Sequence, residues 1–185
     1  MDAKLFMAII GCKPDGRFIE QHDVFFGIGK SMKDLVPQMK AFWPEAKGKI
    51  HIDSWREVTA VDGFKIEVLQ KDIATFNTHR LFFINLGGYK PEEFEEFHYK
   101  VLAVGESLAE ATKKSKQTSF FKHWGFKGAN AHIDDKYGID VDDAYNVSDI
   151  LDAGYQNQFS LKITPGENIP EDQLHIGYFR LEKLE

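Results

Sequence analysis

The chain has a single cysteine, Cys12, so no intrachain disulfide can form, and the expected setting is a reducing cytoplasm. It has no run near the roughly 18 apolar residues that a membrane helix needs, so no membrane partner is expected. The segment IIGC, ending at Cys12, imitates a lipoprotein cleavage box. Only 11 residues precede that cysteine, fewer than a secretory signal needs, and the same stretch recurs inside the chain over residues 80–88. It therefore reads as a strand. Positive charge is thin as well. The 23 Lys and Arg against 29 Asp and Glu leave a formal charge of −6. The densest basic run is Lys113, Lys114 and Lys116. Nucleic acid is thereby argued against as a partner, because phosphate binding needs a concentrated positive surface. Nothing in the composition suggests a disordered or low-complexity tract.

What the chain does have is internal repetition. LFMAIIG, a ten-residue gap and HDVFFGIGKS run from Leu5 to Ser31. LFFINLG, the same gap and HYKVLAVGES run from Leu81 to Ser107, at an ungapped offset of 76. Over 28 aligned positions the pairs Leu5/Leu81, Phe6/Phe82, Gly11/Gly87, Phe18/Phe94, Glu20/Glu96, His22/His98, Gly29/Gly105 and Ser31/Ser107 are identical. Chance at average composition would give roughly two such identities. Each half is too small for a substantial core of its own, so the halves are expected to pack together.

One unit reads as strand, strand, helix, strand, strand. Residues 4–10 form a continuous apolar run, brief and partly β-branched, which predicts a buried strand. A Pro14-Asp15-Gly16 turn leads to a second strand over residues 20–28. Ser31 with Asp34, and Ser107 with Glu110, then carry the helix-start pattern of a hydroxyl followed three residues later by an acid. The first helix is expected to bury Met32, Leu35, Val36, Met39, Phe42 and Trp43, with Pro37 an awkward interior residue. Residues 51–69 read as two more strands with an Asp62-Gly63 tight turn between them. In the second half the register changes to an offset of 81, pairing Trp43 with Trp124 and His51-Ile52-Asp53 with His132-Ile133-Asp134. Asp143 and Ala144 then take the place of the tight turn. Strands over 159–163 and 175–181 are expected to form a C-terminal hairpin, a truncated third copy of the opening one. The fold class is α+β. It comprises duplicated ββαββ units over residues 1–75 and 76–155, packed into one compact body, with a β-hairpin extension over 156–185.

The pattern LF-x4-G, H-x6-G-x-S, HID and DG-F/Y-x-I resembles a bacterial family known as domain of unknown function 1543, over about residues 4–151. The resemblance implies a small bacterial α+β protein with one or two copies of the domain. It carries over no catalytic residue. Ala144 in place of the turn glycine departs from the pattern.

The candidate chemistry is sparse. Gly27 to Ser31 looks like part of a phosphate loop, but Val24 stands where the leading glycine is required, and a strand end with a helix cap explains the glycines. Cys12 has Gly88 as its counterpart and reads as a buried, unreactive thiol. The paired histidines are the sharpest feature: His22 and His98 with Glu20 and Glu96, and His51 and His132 with Asp53 and Asp134. Residues two apart on a strand share a face, so each acid can reach its imidazole. The expected role is structural, with the acid holding the ring and no metal assigned. Acid–base or metal chemistry is the alternative, favoured if Glu20, His22, His51 and Asp53 meet in one cleft.

The leading functional expectation is a non-enzymatic module that binds a small molecule or a protein partner. A His/Asp/Glu-based hydrolase, with or without a metal, and a structural or assembly role are the alternatives, and the cofactor is unknown. Exposed strand edges are expected to be covered by joining the two halves or by homodimer formation.

Overall fold

The computed structural model describes residues 3–71, 77–89, 92–116 and 139–184. The architecture is α+β, with antiparallel sheets and short helices. Two units divide the chain: Met1–Phe76 together with Leu151–Glu185, and Asn77–Ile150. Among the described residues no helix is long and apolar enough to cross a membrane.

Unit 1 begins with β1 (Lys4–Cys12), β2 (Gln21–Gly29) and α1 (Met32–Phe42). Then come β3 (His51–Glu57), β4 (Ala60–Val61) and β5 (Phe64–Gln70). Its first sheet is ordered β10-β3-β1-β2, where β10 is the late strand His175–Arg180. Strand β1 is central and buried on both faces, as its unbroken apolar run requires. Alternation sends Phe6, Ala8, Ile10 and Cys12 to the face covered by α1, which contributes Met32, Leu35, Val36 and Met39. Phe42 is half exposed and packs edge-to-face on Phe25 at 5.6 Å. Of the expected helical stripe, Phe42 alone turns outward, while Trp43 is partly buried against the core. The helix continues through Pro37.

The helix starts are built as the sequence predicts, with one difference of detail. At α1 the Asp34 carboxylate accepts from the Lys30 and Ser31 N–H groups at 2.9 and 3.0 Å, completing a capping box with Ser31. These backbone donors, which a phosphate would have used, are thus taken by the chain's own acid. At α2 (Leu108–Ser115) the Ser107 hydroxyl accepts from the Glu110 N–H at 3.3 Å. The Asp62-Gly63 turn has φ of 53° and 77°, the left-handed pair that a two-residue hairpin turn needs.

The C-terminal strands correct the expected hairpin. β9 (Phe159–Pro165), which follows α4 (Ala153–Gln158), pairs with β5 in a second sheet of order β4-β5-β9. β10 instead pairs with β3 in the first sheet. The two strands are drawn apart because β3 and β5 each offer an open row of backbone donors and acceptors, and each row takes one strand. His175 is not the third copy of His98; its ring stacks on Trp55 at 3.8 Å.

Unit 2 contains β6 (Arg80–Tyr89), β7 (Glu96–Gly105), α2 and β8 (Ile139–Asn146), followed by α3 (Val147–Ile150). Its sheet order is β7-β6-β8, with the first strand central as in unit 1. The core is Phe82, Ile84, Leu86, Ala103 and Ala111. Registers fix which residues correspond. His51, Ile52 and Ser54 face Gly11, Ile10 and Ile9, whereas Asp140, Val141 and Asp143 face Gly87, Leu86 and Asn85. The third strands are therefore related by an offset of 89, and the counterpart of His51-Ile52-Asp53 is Asp140-Val141-Asp142. The offset of 81 rested on the HID tripeptide and the Trp43/Trp124 match; for the third strand, backbone pairing to the central strand sets the offset of 89 instead. His132, Asp134 and Trp124 lie outside the described residues. Asp143 and Ala144 stand inside β8 instead of in a turn, and α3 follows directly, so the described part of unit 2 reads ββαβ.

Candidate functional site

The site of unit 1 lies on the sheet face turned away from α1. It begins with Gly11. On the central strand this residue is opposite His22 on one side and His51 on the other. Directly opposed residues in an antiparallel ladder project to the same face, so both rings rise beside the glycine. A Cβ at Gly11 would lie 2.5 Å from His51 Nε2 and 3.0 Å from His22 Cδ2. The missing side chain is what lets the two imidazoles turn inward.

Two carboxylates complete the group. Glu20 stands just before β2, two residues from His22. Asp53 is the extra residue of a β-bulge, where the β1–β3 register shifts between Ile9 and Ile10. A bulge re-aims the side chain it carries. Each carboxylate faces both rings: His22 Nε2 lies 3.5 Å from Glu20 and 3.1 Å from Asp53, and His51 Nε2 lies 3.4 Å from each. His51 is buried, at 6% exposure, and Tyr178 of β10 covers it with ring centroids 4.5 Å apart. Glu20 and His22 are open to solvent, at 44% and 43%.

Burial and distance together define the chemistry. His51 Nε2 is buried without a hydrogen bond, and so is Asp53 Oδ2 despite its 3.1 Å approach to His22. The bond by which an acid would hold the His51 ring is not made there. One donor atom each from Glu20, His22 and His51 lies within 4.8 Å of the others, the spacing a metal ion bridges.

Unit 2 repeats much of this arrangement. Gly87 is opposite His98, and a Cβ there would overlap the Asp142 carboxylate. His98 Nε2 lies 3.1 Å from Asp142 and 4.0 Å from Glu96, and one donor atom from each of the three residues falls within 4.8 Å of the others. Asp142 is again the bulge residue, with the register shift between Asn85 and Leu86. Tyr89 stands at the rim. Desolvation first, then the charge of Glu96 and a hydrogen bond to it, then Asp142, push its phenol up from the ordinary value. Phe18 and Phe94 are both fully exposed, two residues before Glu20 and Glu96.

The structure thus gathers Glu20, His22, His51 and Asp53 in one place, and Glu96 with His98 in another. Sequence reasoning missed Asp142, Tyr178 and the role of the two glycines. Gly11 and Gly87 were legible as identities of the repeat, but nothing along their own strands shows that each stands opposite a histidine of the next strand. Cys12 lies on the opposite face and is buried. Burial, and then the charge of Glu20, raise its thiol pKa, which suits an inert role.

A family model described as Domain of Unknown Function (DUF1543) matches residues 17–68, a span that contains all four residues of the unit 1 site. No curated protein matches the chain. Among solved structures the chain is similar to protein Il1583 from Idiomarina loihiensis. The TM-score is 0.64 and the identity 24%, over 97% of this chain and 98% of that one, a likeness of fold.

Proposed function

We propose that unit 1 is a divalent transition-metal site in which Glu20, His22 and His51 are the ligands and Asp53 is the carboxylate facing both rings. The observation that carries this reading is His51 Nε2, buried, unbonded and aimed between two carboxylates. An uncompensated polar atom costs free energy in an apolar site unless something supplies a partner. The distances suit an ion. Donors held at about 2.0–2.1 Å around a tetrahedral zinc-sized centre lie about 3.3–3.4 Å apart. The four imidazole–carboxylate separations run from 3.1 to 3.5 Å. Imidazole with carboxylate suits zinc, iron or nickel better than calcium or magnesium.

On this reading the protein is a binding module that presents the ion to a small, oxygen-bearing ligand on the exposed side of Glu20 and His22. Hydrolysis is the second reading. Openness favours it, because catalytic sites keep a position for water, and Asp53 is placed to accept a proton there. The chain itself is read as a tandem duplication in a bacterial cytoplasm. The common strand order, the shared bulge and the repeated glycine–histidine opposition support the duplication, and the single cysteine and the family resemblance are the ground for the setting.

Elemental analysis of untagged chain purified without chelator tests the ion. About one equivalent of zinc, iron or nickel, lost on His22→Gln and on Glu20→Gln, is the expected result. Both residues are exposed, so neither change should unfold the protein. Metal-free chain that also fails to take up zinc on titration overturns the reading.

A further inference from the structure

We propose that unit 2 carries a second cation site, formed by Glu96, His98 and Asp142, which favours a harder divalent ion of the manganese or magnesium class. Its existence stands on the geometry of unit 2. Only the comparison of selectivity rests on the zinc-class reading of unit 1.

Three independent features place the donors. The ladder puts His98 opposite Gly87, as it puts His22 opposite Gly11. The β8 bulge turns Asp142 over Gly87, into space that any side chain at that position would fill. The i, i+2 spacing returns Glu96 to the face of His98. The three donor atoms lie within 4.8 Å of one another, and His98 to Asp142 is 3.1 Å.

Among the described residues, one ladder position sets the two groups of donors apart. Opposite the glycine on the third strand, unit 1 has His51 and unit 2 has Asp140. Among the described residues the unit 2 cluster thus has one imidazole, His98, where that of unit 1 has two, and its other donors, from Glu96 and Asp142, are oxygens. Oxygen donors suit Mg and Mn, whereas added imidazole raises affinity for the later ions of the series. Exposure points the same way. His98 and Asp142 are 37% and 31% exposed, against 7% for the His51 side chain, so a hard ion can keep several of its waters.

The test uses the full chain, stripped of metal. One equivalent of zinc is added to fill unit 1, and Mn2+ is then titrated in, with the free ion followed by electron paramagnetic resonance. One further equivalent of Mn2+ should bind. His98→Gln and Asp142→Asn should each weaken it at least tenfold, while Glu67→Gln, on β5 and outside both sites, should leave it within twofold. No manganese uptake, or uptake indifferent to Asp142→Asn, overturns the proposal. A His22→Gln/His51→Gln chain keeps the two readings apart. If zinc fails to bind the wild type, the unit 1 reading falls. Manganese uptake by the double variant, abolished by Asp142→Asn, would then still uphold the second site, and its absence would remove that site too.

Discussion

Gly11→Ala adds one methyl group at the point where the unit 1 site is made. That Cβ would stand 2.5 Å from His51 Nε2 and 2.8 Å from its Cε1, about an ångström inside ordinary contact. The His51 ring is buried beneath Tyr178, so it cannot swing into solvent. Over-packing of this kind costs about 1–3 kcal/mol. The ligand atom must also move by more than the roughly 0.2 Å that a metal site tolerates, so zinc affinity should fall at least tenfold. Urea unfolding reads the first effect as a lower midpoint at unchanged slope, and competition with a chromogenic chelator reads the second. The decisive measurement is a double-mutant cycle. With His51→Ala the ring is gone, and the added methyl should cost less than about 0.5 kcal/mol, giving a coupling of about 1–3 kcal/mol. Additive losses would refute the claim that Gly11 exists to admit the His51 ring. The matching change Gly87→Ala should cost less, because what it meets is the end of the partly exposed Asp142 carboxylate.

Three further outcomes are expected. Asp172 holds the loop before β10: its carboxylate, 1% exposed, accepts from the Thr59 N–H at 2.9 Å, the Thr59 hydroxyl at 2.7 Å and the Ala60 N–H at 3.1 Å. Asp172→Ala should therefore lower stability by about 2–3 kcal/mol in urea, and a loss under 1 kcal/mol would contradict this pinning role. Ser107→Ala should cost about 0.5–2 kcal/mol by the same assay, as should Asp34→Ala, whose carboxylate is the working half of its cap. The Glu110 carboxyl is held below its usual range, first by the Glu106 N–H and then by Lys114. Its unfolded form thus takes up a proton first on acidification, so its stabilisation is full above the ordinary Glu value and fades as pH falls through the folded one. The stability difference between wild type and Glu110→Gln should be flat above about pH 5 and shrink below it; a difference independent of pH down to 3 would show the carboxylate bonds to be inert.

Much of this was readable from the chain because it is local. The apolar run of β1, the acid three residues after Ser31 and Ser107, and the Asp62-Gly63 turn each act through bonds spanning a few residues. Glu20 with His22, and Glu96 with His98, were legible for the same reason: alternation along one strand puts both members on one face. What failed was correspondence across strands. The HID tripeptide at residues 132–134 matched His51-Ile52-Asp53 by letters, yet the ladder with β6 sets Asp140 to Asp142 in that place. No local preference distinguishes those two registers, and the choice falls to hydrogen bonds with a strand some 55 residues earlier in the chain.

The sequence by itself determined the antiparallel opening pairs, the caps and the acid–histidine pairs of β2 and β7, because each is closed by neighbours along the chain. Tertiary structure alone decided that Gly11 stands between two imidazoles, that bulges aim Asp53 and Asp142 at them, and that Tyr178 roofs His51. Those relations join strands far apart in sequence. They are fixed by which open edge each strand satisfies and by the single ladder register that keeps the apolar face of the sheet buried.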